Sequence, residues 1–219
     1  MHMSNNSKTA TFVLVAAIAL AAAAGGFWLA GKSRDSAGAI PNQALLRDGP
    51  LLALPEGKAL SEFTLYDHTG AEFNNASLEG NWRLAFFGFA SCPHICPDTL
   101  FKLRTVVDLL EESVDEDKLP GVLLISVDPE RDTPEVLSEY RERFDNKIET
   151  ISGEDEQLRK LAMDLGAHYV VPEHVPGEWY NVDHSVSVHV LDPDGNWEAL
   201  LSAPHDPPAM AESLARYLD

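Results

Sequence analysis

Cysteine is nearly missing from this 219-residue chain: there are two, Cys92 and Cys96, four positions apart. A scaffold stapled by several disulfides is thereby excluded, as is an iron–sulfur cluster held by four cysteines. A structural zinc site closes a tetrahedron with four protein ligands, and here sulfur runs out at two. Positive charge is scarce as well, with 16 Lys and Arg against 35 Asp and Glu and a formal net charge of −19. Such a chain repels nucleic acid and anionic membrane surfaces and stays soluble through self-repulsion. Its first 40 residues hold only Lys8, Lys32 and Arg34 as basic side chains, which argues against an Arg-rich mitochondrial transit peptide. No internal repeat is visible.

One long apolar run is present. After a short tail over 1–8, residues 9–31 carry no charge and include Phe12-Val13-Leu14-Val15 and Phe27-Trp28-Leu29. As a helix this run spans roughly 34 Å, enough to cross a bilayer. It reads as an uncleaved transmembrane anchor, because apolar character continues to Trp28, an interface-type residue, and ends at Lys32 and Arg34. A cleaved signal peptide is the alternative, since Ala21, Ala22, Ala23 and Ala24 offer small residues to a peptidase. Residues 32–58 lack periodicity and read as a linker. A domain over 59–219 follows. Tether and acidic domain together suggest a bacterial inner-membrane protein whose C-terminal domain lies in the periplasm.

Within the domain, residues 63–66 form a short strand before the turn Asp67-His68-Thr69-Gly70. Residues 82–89 are almost continuously apolar, the pattern of a strand covered on both faces. The spacing of Leu100, Leu103, Val106, Val107 and Leu110 predicts an amphipathic helix over 97–113. A second buried strand spans 121–127. In Asp128-Pro129-Glu130-Arg131-Asp132-Thr133-Pro134, Thr133 or Asp132 can cap a helix that has Pro134 at its first position. A short strand near 148–151, a helix over 154–165, a hairpin (186–191 and 197–201) around Asp192-Pro193-Asp194-Gly195-Asn196, and a terminal helix complete the series. This α/β order, with the cysteines after the first central strand, predicts a thioredoxin-like fold with a mixed central sheet flanked by helices. In open α/β sheets chemistry collects at strand carboxyl ends, where the cysteine loop falls.

Cys92-Pro93-His94-Ile95-Cys96 thus sits at a strand-to-helix junction, where free N–H groups and the helix dipole favour thiolate. A reversible disulfide and a metal site are both open. For a metal, a third donor has to come from elsewhere. Alternation along His184-Ser185-Val186-Ser187-Val188-His189-Val190 puts His184 on the apolar face with Val186, Val188 and Val190, and His189 on the other. An imidazole on that face needs a reason for its polarity. Two thiolates and one imidazole suit copper in both states, Cu(I) through sulfur and Cu(II) through nitrogen.

Four motifs in order over residues 60–219 make the chain resemble the SCO/SenC family of copper chaperones. They are Phe87-Gly88-Phe89 before Cys92-Pro93-x-x-Cys96-Pro97, then Ser126-Val127-Asp128-Pro129-Glu130-Arg131-Asp132-Thr133-Pro134, then Val182-Asp183-His184-Ser185, then Leu191-Asp192-Pro193-Asp194-Gly195. The resemblance implies copper ligation by Cys92, Cys96 and His184, with the Asp128 carboxylate beside the site tuning the ligands. It further implies copper delivery to the binuclear copper centre of cytochrome c oxidase, with the copper-centre subunit, a copper donor and a thiol reductant as partners. His94 departs from the family, which commonly has Asp there. It reads as a solvent-facing loop residue, with transient copper ligation as the alternative.

The rival function is thiol–disulfide exchange by Cys92 and Cys96 as a redox-active pair, which leaves His184 without a role. The chain is otherwise expected to be no enzyme. A tethered binding module with a merely stabilising disulfide is weaker still, because a bridge across so few residues constrains the unfolded chain little.

Overall fold

The structure, a computed structural model, describes residues 46–219. The expected anchor over 9–31 lies outside the described residues, and among those described no helix is long and apolar enough to cross a membrane. Part of the segment expected as linker is instead sheet: β1 (Leu46–Asp48) and β2 (Leu51–Lys58) pair antiparallel. Its signal was hidden because Leu51 and Ala53 point inward alone, while the strand's second half is exposed.

Next come β3 (Thr64–Asp67), β4 (Glu72–Asn74), the one-turn α1 (Asn75–Leu78) and β5 (Arg83–Gly88). They are followed by α2 (Ile95–Leu110), β6 (Gly121–Ser126), α3 (Pro134–Glu142), β7 (Ile148–Ser152) and α4 (Asp155–Asp164). The short β8 (Tyr169–Val170) and β9 (Asp183–His184) form a separate ladder. The chain closes with β10 (Val188–Leu191), β11 (Trp197–Leu201) and α5 (Pro207–Leu218).

Nine strands form one mixed sheet in the order β1-β2-β11-β10-β5-β6-β7-β3-β4. Its centre, β5-β6-β7, is parallel, and β10 joins β5 antiparallel. Every residue of β5 is buried, as a strand with layers on both faces requires. On one side α2 inserts Leu100, Leu103, Val106 and Leu110, all fully buried. Each such leucine removed from water contributes about 2 kcal/mol, so this face anchors the helix that starts inside the cysteine motif.

Local signals act largely as expected. The Thr133 hydroxyl accepts from the Val136 N–H and Pro134 takes the first position of α3. In the β10–β11 turn, Asp192 Oδ1 accepts from the Asp194 and Asn196 N–H groups, and Gly195 takes φ +79°. The β9–β10 region differs. Residues 185–187 belong to no strand, and Val186 is exposed. His184 is therefore not aligned with Val188 along one continuous strand, and alternation does not set its direction.

Candidate metal centre

The cysteine loop leaves the carboxyl end of β5 and turns straight into α2. Cys92 is partly exposed and Cys96, on the first turn of α2, is fully buried. The Cys96 N–H donates to Cys92 Sγ over 3.4 Å, which folds the loop so that both sulfurs face one another's side. A small residue has to stand beneath. At Gly88 a Cβ would come within 2.9 Å of Cys96 Sγ, so only glycine lets the sulfur pack onto β5.

His184 arrives from the far end of the chain. Its Nε2 lies 3.4 Å from Cys96 Sγ, and its Nδ1 lies 2.9 Å from the Ser185 carbonyl oxygen. A carbonyl only accepts, so the ring proton sits on Nδ1 and the Nε2 lone pair points at sulfur. Phe86 and Phe89 stand edge-on to the ring at 5.6 and 5.9 Å. Burial lowers the His184 pKa, keeping the imidazole neutral. The ligand atoms of Cys92, Cys96 and His184 all lie within 4.8 Å of one another.

The thiol at Cys96 corrects an expectation. A helix start was expected to favour thiolate, yet burial pushes the Cys96 thiol far up and outweighs the hydrogen bond from the Phe89 backbone. Without a cation the sulfur keeps its proton, donated toward His184 Nε2. A soft metal cation bound by Cys92, Cys96 and His184 would take the place of that proton and supply the compensating charge. Two sulfurs with a neutral nitrogen form a set suited to copper.

Asp128 does not touch this donor set. Its Oδ1 accepts from the Tyr180 hydroxyl at 2.6 Å, and its Oδ2 pairs with Arg131. It therefore acts on the loop that leads to His184, and not on a ligand. His94 is exposed, precedes α2 without capping it and makes no side-chain hydrogen bond among the described residues. A cleft of about 370 Å³ opens beside Cys92, walled by Pro97, Val136, Tyr140 and Arg143.

Two neighbours of the site were missed from sequence. The Asp132 carboxylate, fully buried, accepts from the Ala90 N–H at 2.7 Å and from the Ser126 hydroxyl at 2.5 Å, tying the cysteine loop to the end of β6. Burial raises its pKa to about 6. The only signal was its place beside Thr133, where it passed for a helix cap. Gly88 could have been found, being the one residue without a side chain in an aromatic run.

Fold and site together define a thioredoxin-like domain carrying a centre of two thiols and one imidazole. The SCO1/SenC family model matches residues 54–219, and the chain belongs to that family. It is 34% identical over 211 residues to bovine "Protein SCO2 homolog, mitochondrial", covering 95% of this chain and 75% of that one. With the Arabidopsis thaliana "Protein SCO1 homolog 1, mitochondrial" it shares 31% over 177 residues, 80% of this chain but about half (51%) of the plant protein. Among solved structures, yeast Sco1 with copper bound superposes with a TM-score of 0.67 at 30% identity, over 74% of this chain and 88% of the other. Arabidopsis ScoI with copper bound gives 0.65 at 30%, over 71% and 95%.

Proposed function

We propose that this protein is a copper chaperone, loading one copper ion on Cys92 Sγ, Cys96 Sγ and His184 Nε2 and delivering it to the copper-centre subunit of cytochrome c oxidase. The convergence of three donors from segments 88 residues apart, inside 4.8 Å, carries this reading. Copper is cargo. Cu(I) arriving from a donor displaces the thiol protons, and His184 adds the nitrogen that Cu(II) prefers. The domain works outside the cytoplasm, tethered to the bacterial inner membrane by residues 9–31. The copper-bound Sco structures of yeast and Arabidopsis, similar over most of this domain, support the same cargo.

Because both sulfurs are donors, oxidation to a disulfide empties the site. Reloading then needs a dithiol reductant, which gives two electrons and two protons and is itself oxidised to a disulfide. The test is a copper titration of the full chain, reduced and oxidised, read by absorption and EPR. About one copper per reduced chain is expected, and equal retention by the oxidised chain sinks the assignment.

Thiol–disulfide exchange is the second reading. Cys92 opens to the cleft while Cys96 lies behind it, the order needed for attack by one thiol and resolution by the other. His184→Ala separates the two: exchange survives and Cu(II) binding does not.

A further inference from the structure

His184 stands two residues beyond a stretch of twelve residues, 171–182, that contains neither helix nor strand. The β8–β9 ladder that closes this stretch pairs Tyr169 with His184 and Val170 with Asp183, and is continued by the Ser185 N–H donating to the His168 carbonyl and the His168 N–H donating to the Ser185 hydroxyl, both at 2.9 Å. So short a two-stranded ladder cannot hold the stretch before it on its own. Yet Nε2 meets Cys96 Sγ at 3.4 Å. The stretch before His184 needs a further anchor.

Two residues of the segment are buried, Val182 at 2% and Tyr180 at 7% exposure, and of these Tyr180 is the one that also carries polar anchors. The Arg131 guanidinium lies 3.6 Å from the centre of the Tyr180 ring and 5.3 Å from that of Phe89. Arg131 Nη1 also donates to the Tyr180 carbonyl at 2.9 Å, and its Nε donates to Asp128. The Tyr180 hydroxyl donates to the other oxygen of that carboxylate at 2.6 Å. Three side chains, Arg131, Asp128 and Tyr180, thus close a ring that includes the pair of partly buried Arg131 with buried Asp128. The His174 ring stacks on Tyr180 at 3.8 Å, and its Nε2 meets Glu130 at 3.0 Å. Two groups this near must cover opposite faces of the Tyr180 ring. Phe89, against which Arg131 rests, presents its ring to His184 at 5.9 Å. From Asp128 to the imidazole every step is a contact.

We propose that Arg131 and Tyr180, joined through Asp128, are positioning residues that hold His184 against the dithiol, so that opening this clamp turns a three-donor site into a two-donor one. The inference rests on the copper reading of Cys92, Cys96 and His184, and it assigns the clamp control over the nitrogen alone. A two-sulfur site retains Cu(I) and loses its preference for Cu(II). The clamp therefore sets which oxidation state the site holds and how readily copper leaves.

Arg131→Lys keeps the charge beside Asp128 and removes the planar stack and the bond to the Tyr180 carbonyl. Tyr180→Phe keeps the ring and removes only the hydroxyl. Each is made in the full chain and read two ways. In the reduced, metal-free protein, amide exchange over 178–187 should quicken by about tenfold in Arg131→Lys and less in Tyr180→Phe, as expected for losing contacts to a charged group. Exchange in β5 and β6 should stay as in the parent, showing that the fold is intact. With Cu(II) added, nitrogen hyperfine coupling should weaken relative to the parent while Cu(I) stoichiometry is kept. Parent-like exchange over 178–187 with parent-like nitrogen coupling overturns the clamp. If Arg131→Lys unfolds, Tyr180→Phe decides by the same two readouts. If the parent chain takes up no copper, the copper reading fails, and the exchange measurement alone still decides whether the clamp orders the loop.

Discussion

Two imidazoles five residues apart face opposite sides of the sheet, and they meet different fates. His184 stands edge-on to Phe86 and Phe89, while His189 stands edge-on to Phe87 and Trp197. Both are kept neutral by burial, His189 down to about 4. The aromatic surroundings are thus alike. The difference is sulfur: His184 Nε2 meets Cys96, whereas both ring nitrogens of His189 are buried with no hydrogen-bond partner. A buried neutral imidazole is therefore not a metal ligand by virtue of burial. His184 is set apart by the two sulfur atoms that lie with its ligand nitrogen inside 4.8 Å.

The largest break in this contrast comes from removing sulfur. Cys96→Ser leaves His184 facing a hydroxyl, a poor donor to Cu(I). Affinity should fall by more than the ~10–100-fold typical of outer-shell changes, measured by competition with a Cu(I) chelator. Cys92→Ser should behave alike, and near-parent affinity in either variant removes the dithiol from the reading.

His184→Ala sharpens the contrast from the other side. Cu(II) nitrogen coupling should vanish while Cu(I) stays bound by two thiolates, and disulfide exchange with a small dithiol should persist. An unchanged Cu(II) spectrum means that some other nitrogen is the ligand.

His189→Leu tests the partnerless imidazole. Replacing it with an apolar side chain of similar size relieves unpaired polar groups and should stabilise the domain by ~1 kcal/mol, about 2–4 °C in Tm. Copper binding should not change. The gain should also grow in acid. His189 titrates near 4 folded and 6.5 unfolded, so the unfolded chain binds more protons between those values. The stability it leaves in place above pH 6.5 is lost as pH falls, by ~1.4 kcal/mol per unit. Asp132, raised from 3.8 to about 6, acts in the opposite sense over an overlapping range, because the folded state then holds the extra proton. The parent profile therefore partly cancels, and only the difference between parent and His189→Leu isolates the histidine. A difference independent of pH from 7 to 4 would contradict the burial of His189.

The smallest effect belongs to His94. It is exposed and points to no donor, so His94→Asp should leave the number of nitrogens bound to Cu(II) unchanged, with at most a modest shift in affinity from the added negative charge near the thiols. Loss of one nitrogen would make His94 a ligand after all.

Much of this molecule is written in local chemistry. The apolar runs of β5 and β6, the spacing along α2, the Thr133–Pro134 helix start and the Asp192–Gly195 turn each act within a few residues, so period and cap suffice to place them. The two cysteines and His184 were legible by type. The β1–β2 hairpin was not, because it is held by pairing β2 with β11, almost 150 positions away along the chain. Strand alternation named His184 for a reason the structure does not share, since Val186 is exposed and the strand is interrupted.

Residue chemistry alone therefore determines that this chain carries a soft dithiol at a strand-to-helix junction and a strongly acidic balance of charge. Tertiary packing decides the rest. It buries Cys96 deeply enough to hold its proton, stands Gly88 beneath the sulfur, and sends Asp128 to Tyr180 and Arg131 instead of to the thiols or the imidazole. Those outcomes depend on desolvation and on contacts between distant segments, and neither is a property of any short stretch of chain.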